Sequence, residues 1–214
     1  MHFEILVEDQ SGKKMLEILI PKILDNDHTF RVTSYKGVGR LPQNIKSAKE
    51  VHNRMLLNNL PKLLKGYGNT YSSVSDKAAV IVVCDLDDKC QKRFLKELND
   101  ILDSCTHKPL SKFCLAIEEG EAWLLGDLKA VNTAYPKSKK RILCKYKNDS
   151  ICGTWELLAD AVYNGGSEKL KKLGWIFIGQ EKSKWAEKIT PHIEVKNNLS
   201  PSFKYFLNTL KSFI

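Results

Sequence analysis

The first half of the chain alternates short apolar runs with amphipathic stretches. Apolar runs at residues 2–7, 30–35, 78–84 and 113–117 predict four strands. Three- and four-residue spacings of apolar side chains predict helices at 13–24, 45–65, 90–104 and 121–125, with a polar connector at 66–75. Strands that alternate with helices are typical of an α/β fold. We therefore expect a small, mostly parallel sheet flanked by helices.

The second half of the chain differs from the first in its predicted secondary structure and in its charge. Short helices are predicted at 154–163, 168–173, 182–189 and 202–213. Residues 1–127 hold 18 basic and 18 acidic side chains, whereas residues 128–214 hold 16 basic and 7 acidic ones and carry the whole net charge of +9. We expect an α/β core over 1–127 and a basic, mainly helical C-terminal part over 128–214, packed on that core.

The basic C-terminal part suits a phosphate-rich partner such as DNA or RNA. A basic surface without any partner explains the charge equally well, and a protein partner is a further expectation. No apolar run reaches the roughly 18 residues of a membrane span, and the first residues lack a signal peptide's basic start. We therefore expect a cytoplasmic protein that does not bind membranes. The six cysteines form no CxxC pair and are expected to be reduced thiols.

Acidic residues follow three of the predicted strands. They are Glu8 and Asp9, then Asp85 and Asp87, then Glu118, Glu119 and Glu121. The carboxyl ends of parallel strands meet at one edge of a sheet, where ligands of such folds bind. Carboxylate oxygens there would suit Mg²⁺ or Mn²⁺, which could polarise a phosphodiester or activate water. The alternative is that these acids form turns and cap helices. Asp9 is expected to cap the helix that begins near Ser11, and Asp88 to be an N-cap or a first-turn acid.

Four basic residues are candidates for binding nucleic acid. Lys36 and Arg40 lie in the glycine-rich loop at 36–40, whose backbone amides could also bind phosphate. Lys182 and Lys184 lie on a predicted C-terminal helix and could contact a phosphate backbone. The structural alternatives are a simple turn for the loop and a solvated helix face for the two lysines.

Three of the four tryptophans could also contact bases. Trp155, Trp175 and Trp185 could stack on them, although packing in the core is the favoured interpretation. Trp123 is expected in the core, where it would anchor the helix that presents Glu121.

An ordered set of motifs resembles a known domain. An early strand ending in Glu8 and a later strand ending in the Asp85-x-Asp87 pair resemble the Toprim domain, which occurs in topoisomerases, primases and OLD-family nucleases. The stretches at 7–24, 82–88, 116–127 and 182–210 resemble more closely a bacterial family of Toprim-like proteins of unknown function, the DUF4276 group. This resemblance spans nearly the whole chain.

The resemblance implies a Toprim-like core and a set of site residues. Glu8 would be the general acid or base, Asp85 and Asp87 the ligands of Mg²⁺, and Glu121 an additional ligand. Toprim domains usually carry a glycine close to the glutamate, whereas here Gly12 comes four residues later. No tyrosine stands out as a topoisomerase nucleophile, so hydrolysis is favoured over strand passage.

The first hypothesis is therefore a metal-dependent nuclease, and the resemblance makes a role in defence against mobile DNA conceivable. The alternative is a regulatory protein that binds nucleic acid or a protein partner without turnover. A phosphoacceptor receiver domain is disfavoured. Asp85 lies about 77 residues after Glu8, whereas receiver domains are compact, and a single phosphoacceptor does not need a paired aspartate.

Overall fold

A parallel sheet of four strands forms the centre of the described part of the protein. The structure is a computed structural model that describes residues 1–37, 39, 55–149 and 153–214. The strands are β1 (His2–Val7), β2 (Thr29–Ser34), β3 (Ala78–Asp85) and β4 (Ser111–Ala116), paired in the order β2-β1-β3-β4. Every pairing is parallel, so the predicted α/β class with a small sheet flanked by helices is confirmed.

Helices cover both faces of the sheet. They are α1 (Gln10–Leu19), α2 (Leu56–Thr70), α3 (Gln91–Asp103), α4 (Glu121–Leu125), α5 (Leu128–Ala134), α6 (Lys140–Leu143), α7 (Thr154–Val162), α8 (Gly166–Leu173), α9 (Trp175–Ile189) and α10 (Pro201–Lys211). Short 3-10 turns occupy Ile20–Lys22 and Thr190–His192. Within the described residues, no helix has the length and apolar character needed to cross a membrane.

Two apolar clusters hold the helices on the sheet. One face of the sheet packs against α2 and α3. The other face belongs to a larger cluster that runs from Phe3 on β1 to Leu210 on α10 and takes buried side chains from α1, α4 and α7. A buried hydrogen bond of 2.9 Å joins Trp123 Nε1 to Ser202 Oγ. The C-terminal helices therefore share one core with the sheet.

The start of α1 is fixed close to the end of β1. Asp9 caps the helix: its carboxylate accepts hydrogen bonds of 2.7 Å from the Gly12 amide and from the Ser11 hydroxyl, as expected for an N-cap. A Cβ atom on Gly12 would lie 2.6 Å from Val7 Cγ2, so only glycine allows this approach. The helix predicted at 13–24 ends early, because Pro21 cannot continue an α-helix and a 3-10 turn takes its place at Ile20–Lys22.

The prediction for α2 was wrong at its C-terminal end. The polar stretch at 66–75 predicts a connector, yet the helix continues through Gly68 to Thr70. A Cβ atom on Gly68 would lie 1.8 Å from the carbonyl oxygen of His107. This glycine therefore permits a close contact between two backbones and does not mark a turn. The predicted helical residues 45–54 lie outside the described part of the chain.

The C-terminal helices are more extensive than predicted. Helix α9 begins at Trp175 instead of residue 182, after Gly174 with a φ of 93°. Helices α5 and α6 were not predicted, because each is shorter than the window of about 11 residues in which a repeated helical spacing can be recognised. The helices predicted at 154–163, 168–173 and 202–213 are confirmed with small changes of boundary.

Candidate active site

Carboxylates from three elements line one small cavity at the carboxyl edge of the sheet. Glu8 follows β1, Asp85 ends β3 and Glu121 opens α4. Strands β1 and β3 pair in register up to Val7 and Val83, so their ends meet. The backbone amide of Asp85 donates a hydrogen bond of 3.3 Å to Glu8 Oε2. The cavity, called the acidic cavity below, has a volume of about 30 Å³, which is room for one or two water-sized groups.

A lysine from the C-terminal half enters the same cavity. Lys182 on α9 places its Nζ 3.0 Å from Glu121 Oε2 and 3.4 Å from Glu119 Oε1. Its side chain is only 14% exposed. Glu121 Oε2 has the ion pair but no well-aligned hydrogen bond. Lys182 therefore lies among carboxylates instead of on an open helix face, and its contact with nucleic acid stays a prediction.

The electrostatics of the acidic cavity are dominated by burial and by like charges. Burial raises the pKa of Asp85 well above its ordinary range, and the charge of Glu8 raises it further, while Lys182 opposes both. Burial also raises the pKa of Glu121 and brings that of Glu119 to about 7, against the opposing effect of Lys182. The pKa of Lys182 is raised, because the neighbouring carboxylates outweigh the effect of its own burial. The cavity therefore favours an additional positive charge or a proton.

Asp87 does not join this group. The sequence predicts that Asp85 and Asp87 point the same way from an extended stretch. Instead Asp87 adopts a left-handed backbone with a φ of 51°, its side chain is 42% exposed, and a carboxylate oxygen lies 2.5 Å from Lys89 Nζ. Its backbone amide donates to the carbonyl of Glu118 at 3.0 Å. The role of Asp87 as a metal ligand stays a prediction that this side-chain position does not support.

The three acids after β4 have different roles. Glu118 accepts hydrogen bonds from the amides of Gly153 and Thr154, the latter at 2.9 Å, and so caps the start of α7. Glu119 and Glu121 pair with Lys182. Sequence reasoning missed the pairing of Glu119 with Lys182. The sequence contains no local signal for it, because the two residues are 63 positions apart.

A larger groove adjoins the acidic cavity. It lies between the start of α1, the residues after β2 and one face of α9, and has a volume of about 760 Å³. Its basic side chains are Lys14, Lys36 and Lys184, and we call it the lysine groove. Ion pairs join Lys14 to Glu187 and Lys184 to Glu181. Asp9 and Ser11 line both the groove and the acidic cavity.

The groove brings together two of the residues predicted to bind nucleic acid, Lys36 and Lys184, which are far apart in the sequence. Arg40, the other candidate in the glycine-rich loop, lies outside the described residues. The roles of Lys36 and Lys184 in binding stay predictions.

The donor set of the acidic cavity is of the type that Mg²⁺ uses. Over residues 1–37, 39, 55–149 and 153–214, no three acidic, histidine or cysteine side chains are grouped to hold a metal ion. Mg²⁺, however, commonly takes only one or two protein carboxylates, with water and substrate phosphate as its other ligands. Asp85 and Glu121 both line the cavity and carry carboxylates of this kind, and burial is the main cause of their raised pKa values.

Fold and site together define a small parallel α/β protein with an acidic cavity at the carboxyl edge of its sheet. The chain belongs to the DUF4276 family: the model of that family, described as a domain of unknown function, matches residues 7–211. No curated protein matches the chain. No solved structure matches it either.

Proposed function

We propose that the chain is a metal-dependent phosphodiesterase that acts on nucleic acid through a Toprim-like site. The observation that carries this proposal is the convergence of Glu8, Asp85 and Glu121 in one cavity beside the lysine groove. Groups with strongly shifted pKa values in a cleft are typical of sites that perform chemistry. The adjoining lysines Lys36 and Lys184 would give a phosphate backbone its electrostatic attraction.

The residues of the cavity would have two roles, binding of the metal ion and transfer of a proton. Asp85 and Glu121 would hold Mg²⁺ or Mn²⁺, which when bound supplies charge stabilisation at a phosphoryl oxygen and activation of water. Glu8 takes or returns the proton, a role that typically contributes about 10²–10⁴-fold to a rate. Lys182 orients Glu121 and limits the repulsion between the carboxylates.

A nuclease assay with matched variants tests this proposal. Wild type, Glu8→Gln and Asp85→Asn are compared on single- and double-stranded DNA and RNA, with Mg²⁺ or Mn²⁺. Asp88→Asn is the control, because Asp88 is an exposed acid of the same loop that does not line the cavity. We expect both site variants to lose roughly 100-fold or more in rate, as for the loss of a general acid or base, and the control to keep its activity. Full activity in both site variants would refute the proposed mechanism.

A second candidate is a protein that binds nucleic acid or a protein partner without turnover. The observation that favours it is the position of Asp87, which points to Lys89 and leaves the cavity with one aspartate of the predicted pair. Calorimetric titration with Mg²⁺ separates the two candidates. Weak binding of Mg²⁺ that Asp85→Asn leaves unchanged would favour this second function.

A further inference from the structure

The first turn of α9 exposes a row of large apolar side chains. Trp175 is 80% exposed, Ile176 77% and Phe177 48%. The other three tryptophans, Trp123, Trp155 and Trp185, are all at least 95% buried. Trp175 is therefore the tryptophan whose ring is free to contact a ligand. Ile176, the next residue, lines the lysine groove.

Packing does not explain the glycine in the middle of α9. A Cβ atom added to Gly179 would meet nothing within 4 Å, so its neighbours do not require glycine there. Glycine inside a helix destabilises it relative to alanine. Gly179 lines the lysine groove, and its missing side chain leaves the helix backbone open to whatever enters the groove.

These features are aligned with the acidic cavity along one helix. Trp175 and Lys182 are seven residues apart, so they lie on the same side of α9, two turns or about 10 Å from each other. Gly179 lies between them. Lys182 belongs to the acidic cavity, and Lys36 and Lys184 line the adjoining groove. Trp175 itself does not line the groove, but Ile176 beside it and Gly179 do. The exposed indole therefore lies next to the groove that holds Lys36 and Lys184 and adjoins the acidic cavity.

We propose that α9 binds an unpaired nucleic-acid strand, an inference that rests on the proposed function. One base stacks on Trp175, the backbone passes Gly179, and the phosphates contact Lys36 and Lys184. Stacking on an aromatic side chain requires a base that has left its own stack, which single strands provide and an intact duplex does not. The substrate is thus a single strand or an unpaired end; DNA and RNA share the base and phosphate chemistry that this surface recognises.

A binding assay without metal tests the proposal. Fluorescence anisotropy measures the affinity for a labelled single-stranded oligonucleotide, as DNA and as RNA, and for the matched duplex. We expect the single strand to bind more tightly than the duplex. Stacking of one base is worth about tenfold or more in affinity, so Trp175→Ala should lose at least that much and Trp175→Phe should keep most of it. Tyr205→Ala is the control, because Tyr205 is a 52% exposed aromatic residue on α10, a helix that does not line the groove.

A second variant tests the path of the strand. Gly179→Leu fills the groove with a residue that favours helix, so we expect weaker binding of the single strand at an unchanged or higher melting temperature. Equal affinity for duplex and single strand, or unchanged binding in Trp175→Ala, would refute the proposal. Absence of binding to every oligonucleotide would refute it as well and would assign the exposed row to a protein partner.

The failure of this inference can be told apart from the failure of the proposed function. Hydrolysis of bis(4-nitrophenyl) phosphate, a small diester that does not need the groove, is measured with Mg²⁺. Trp175→Ala should keep this activity and Asp85→Asn should lose it. Loss of strand binding with intact hydrolysis in Trp175→Ala supports both ideas. If the protein binds the strand through Trp175 but does not hydrolyse the small diester, only the proposed phosphodiesterase function is refuted.

Discussion

Strand β1 places two glutamates four residues apart in opposite electrostatic environments. Glu4, in the middle of the strand, is surrounded by donors, whereas Glu8, just after the strand, faces other carboxylates. Glu4 is buried and Glu8 is half-buried, but their neighbours differ more than their burial does. The identity of their neighbours therefore distinguishes the two carboxylates.

Glu4 has a full set of partners. Arg31 donates two hydrogen bonds to it, of 2.9 Å and 2.7 Å, and the hydroxyls of Tyr71 and Tyr67 donate at 3.0 Å and 3.3 Å. A ring nitrogen of His2 lies 3.3 Å away. Burial raises the pKa of Glu4, but Arg31 and the other hydrogen bonds outweigh it and hold the pKa below its ordinary value.

The acidic cavity shows the reverse balance. Among the described residues that line the cavity, Lys182 is the one cation and pairs directly with Glu121 and Glu119. Asp85 and Glu8 carry like charges at the ends of adjacent strands. The pKa values of Asp85, Glu119 and Glu121 all rise. The protein tolerates this unfavourable arrangement, as proteins often do at functional sites.

The largest expected effect is on stability, when one carboxylate in each of the two regions is neutralised. Glu4→Gln removes the charge that Arg31 and the tyrosine hydroxyls pair with, and should cost about 2 kcal/mol of the free energy of unfolding. Asp85→Asn removes a repelled charge and should raise that free energy by about 1 kcal/mol, the gain common when a strained functional site is neutralised. Urea unfolding at pH 7.5 without metal measures both. Changes of the same sign would show that the two sites do not differ as described.

The second effect is the dependence of stability on pH. Folding raises the pKa of Glu119 from 4.5 to about 7, so between these values the folded protein keeps a proton that the unfolded chain has lost. The free energy of unfolding should therefore fall as pH rises from 4.5 to 7, by at most about 3 kcal/mol. Glu4 acts oppositely: its contribution is present above pH 4.5 and is lost as pH falls through its lowered pKa.

Two variants show which carboxylate causes each change of the free energy of unfolding with pH. In a series of urea unfolding curves, Glu119→Gln should flatten the dependence between pH 4.5 and 7, and Glu4→Gln should flatten it below pH 4.5. A slope between pH 4.5 and 7 that Glu119→Gln leaves intact would contradict the assignment.

The smallest expected effect is stabilisation by Mg²⁺. At ten times its dissociation constant, a ligand that binds only the folded state adds about 1.4 kcal/mol. Because binding competes with protons on the carboxylates, the increase in melting temperature should be larger at pH 8 than at pH 6. Asp85→Asn should abolish the increase, and Glu4→Gln should keep it. An equal increase in both variants would place the ion elsewhere.

Much of the fold could be predicted from the sequence, because apolar periodicity and the positions of acids reflect local rules. Four strands, their parallel arrangement and the meeting of Glu8 with Asp85 follow from where β1 and β3 end. The cap by Asp9 follows from its position before a helix. The end of α2 could not be predicted, since Gly68 is required by a contact with His107, a residue 39 positions away.

The site was less predictable than the fold, because single side chains depend on backbone turns and on distant partners. The left-handed turn at Asp87 reverses the direction expected for an extended pair. The entry of Lys182 into the acidic cavity depends on how α9 packs against α1 and α4. For Trp175, a signal did exist: the unbroken run Trp175-Ile176-Phe177 after a glycine has no helical period, so its members cannot all face the core.

The buried hydrogen bond between Trp123 and Ser202 restricts which parts of such a chain can be exchanged during evolution. Trp123 lies two residues after Glu121, so α10, which carries Ser202, helps to position a carboxylate at the sheet edge. The C-terminal half is therefore not an interchangeable module. A lineage that replaced it with another helical segment would have to rebuild the acidic edge at the same time.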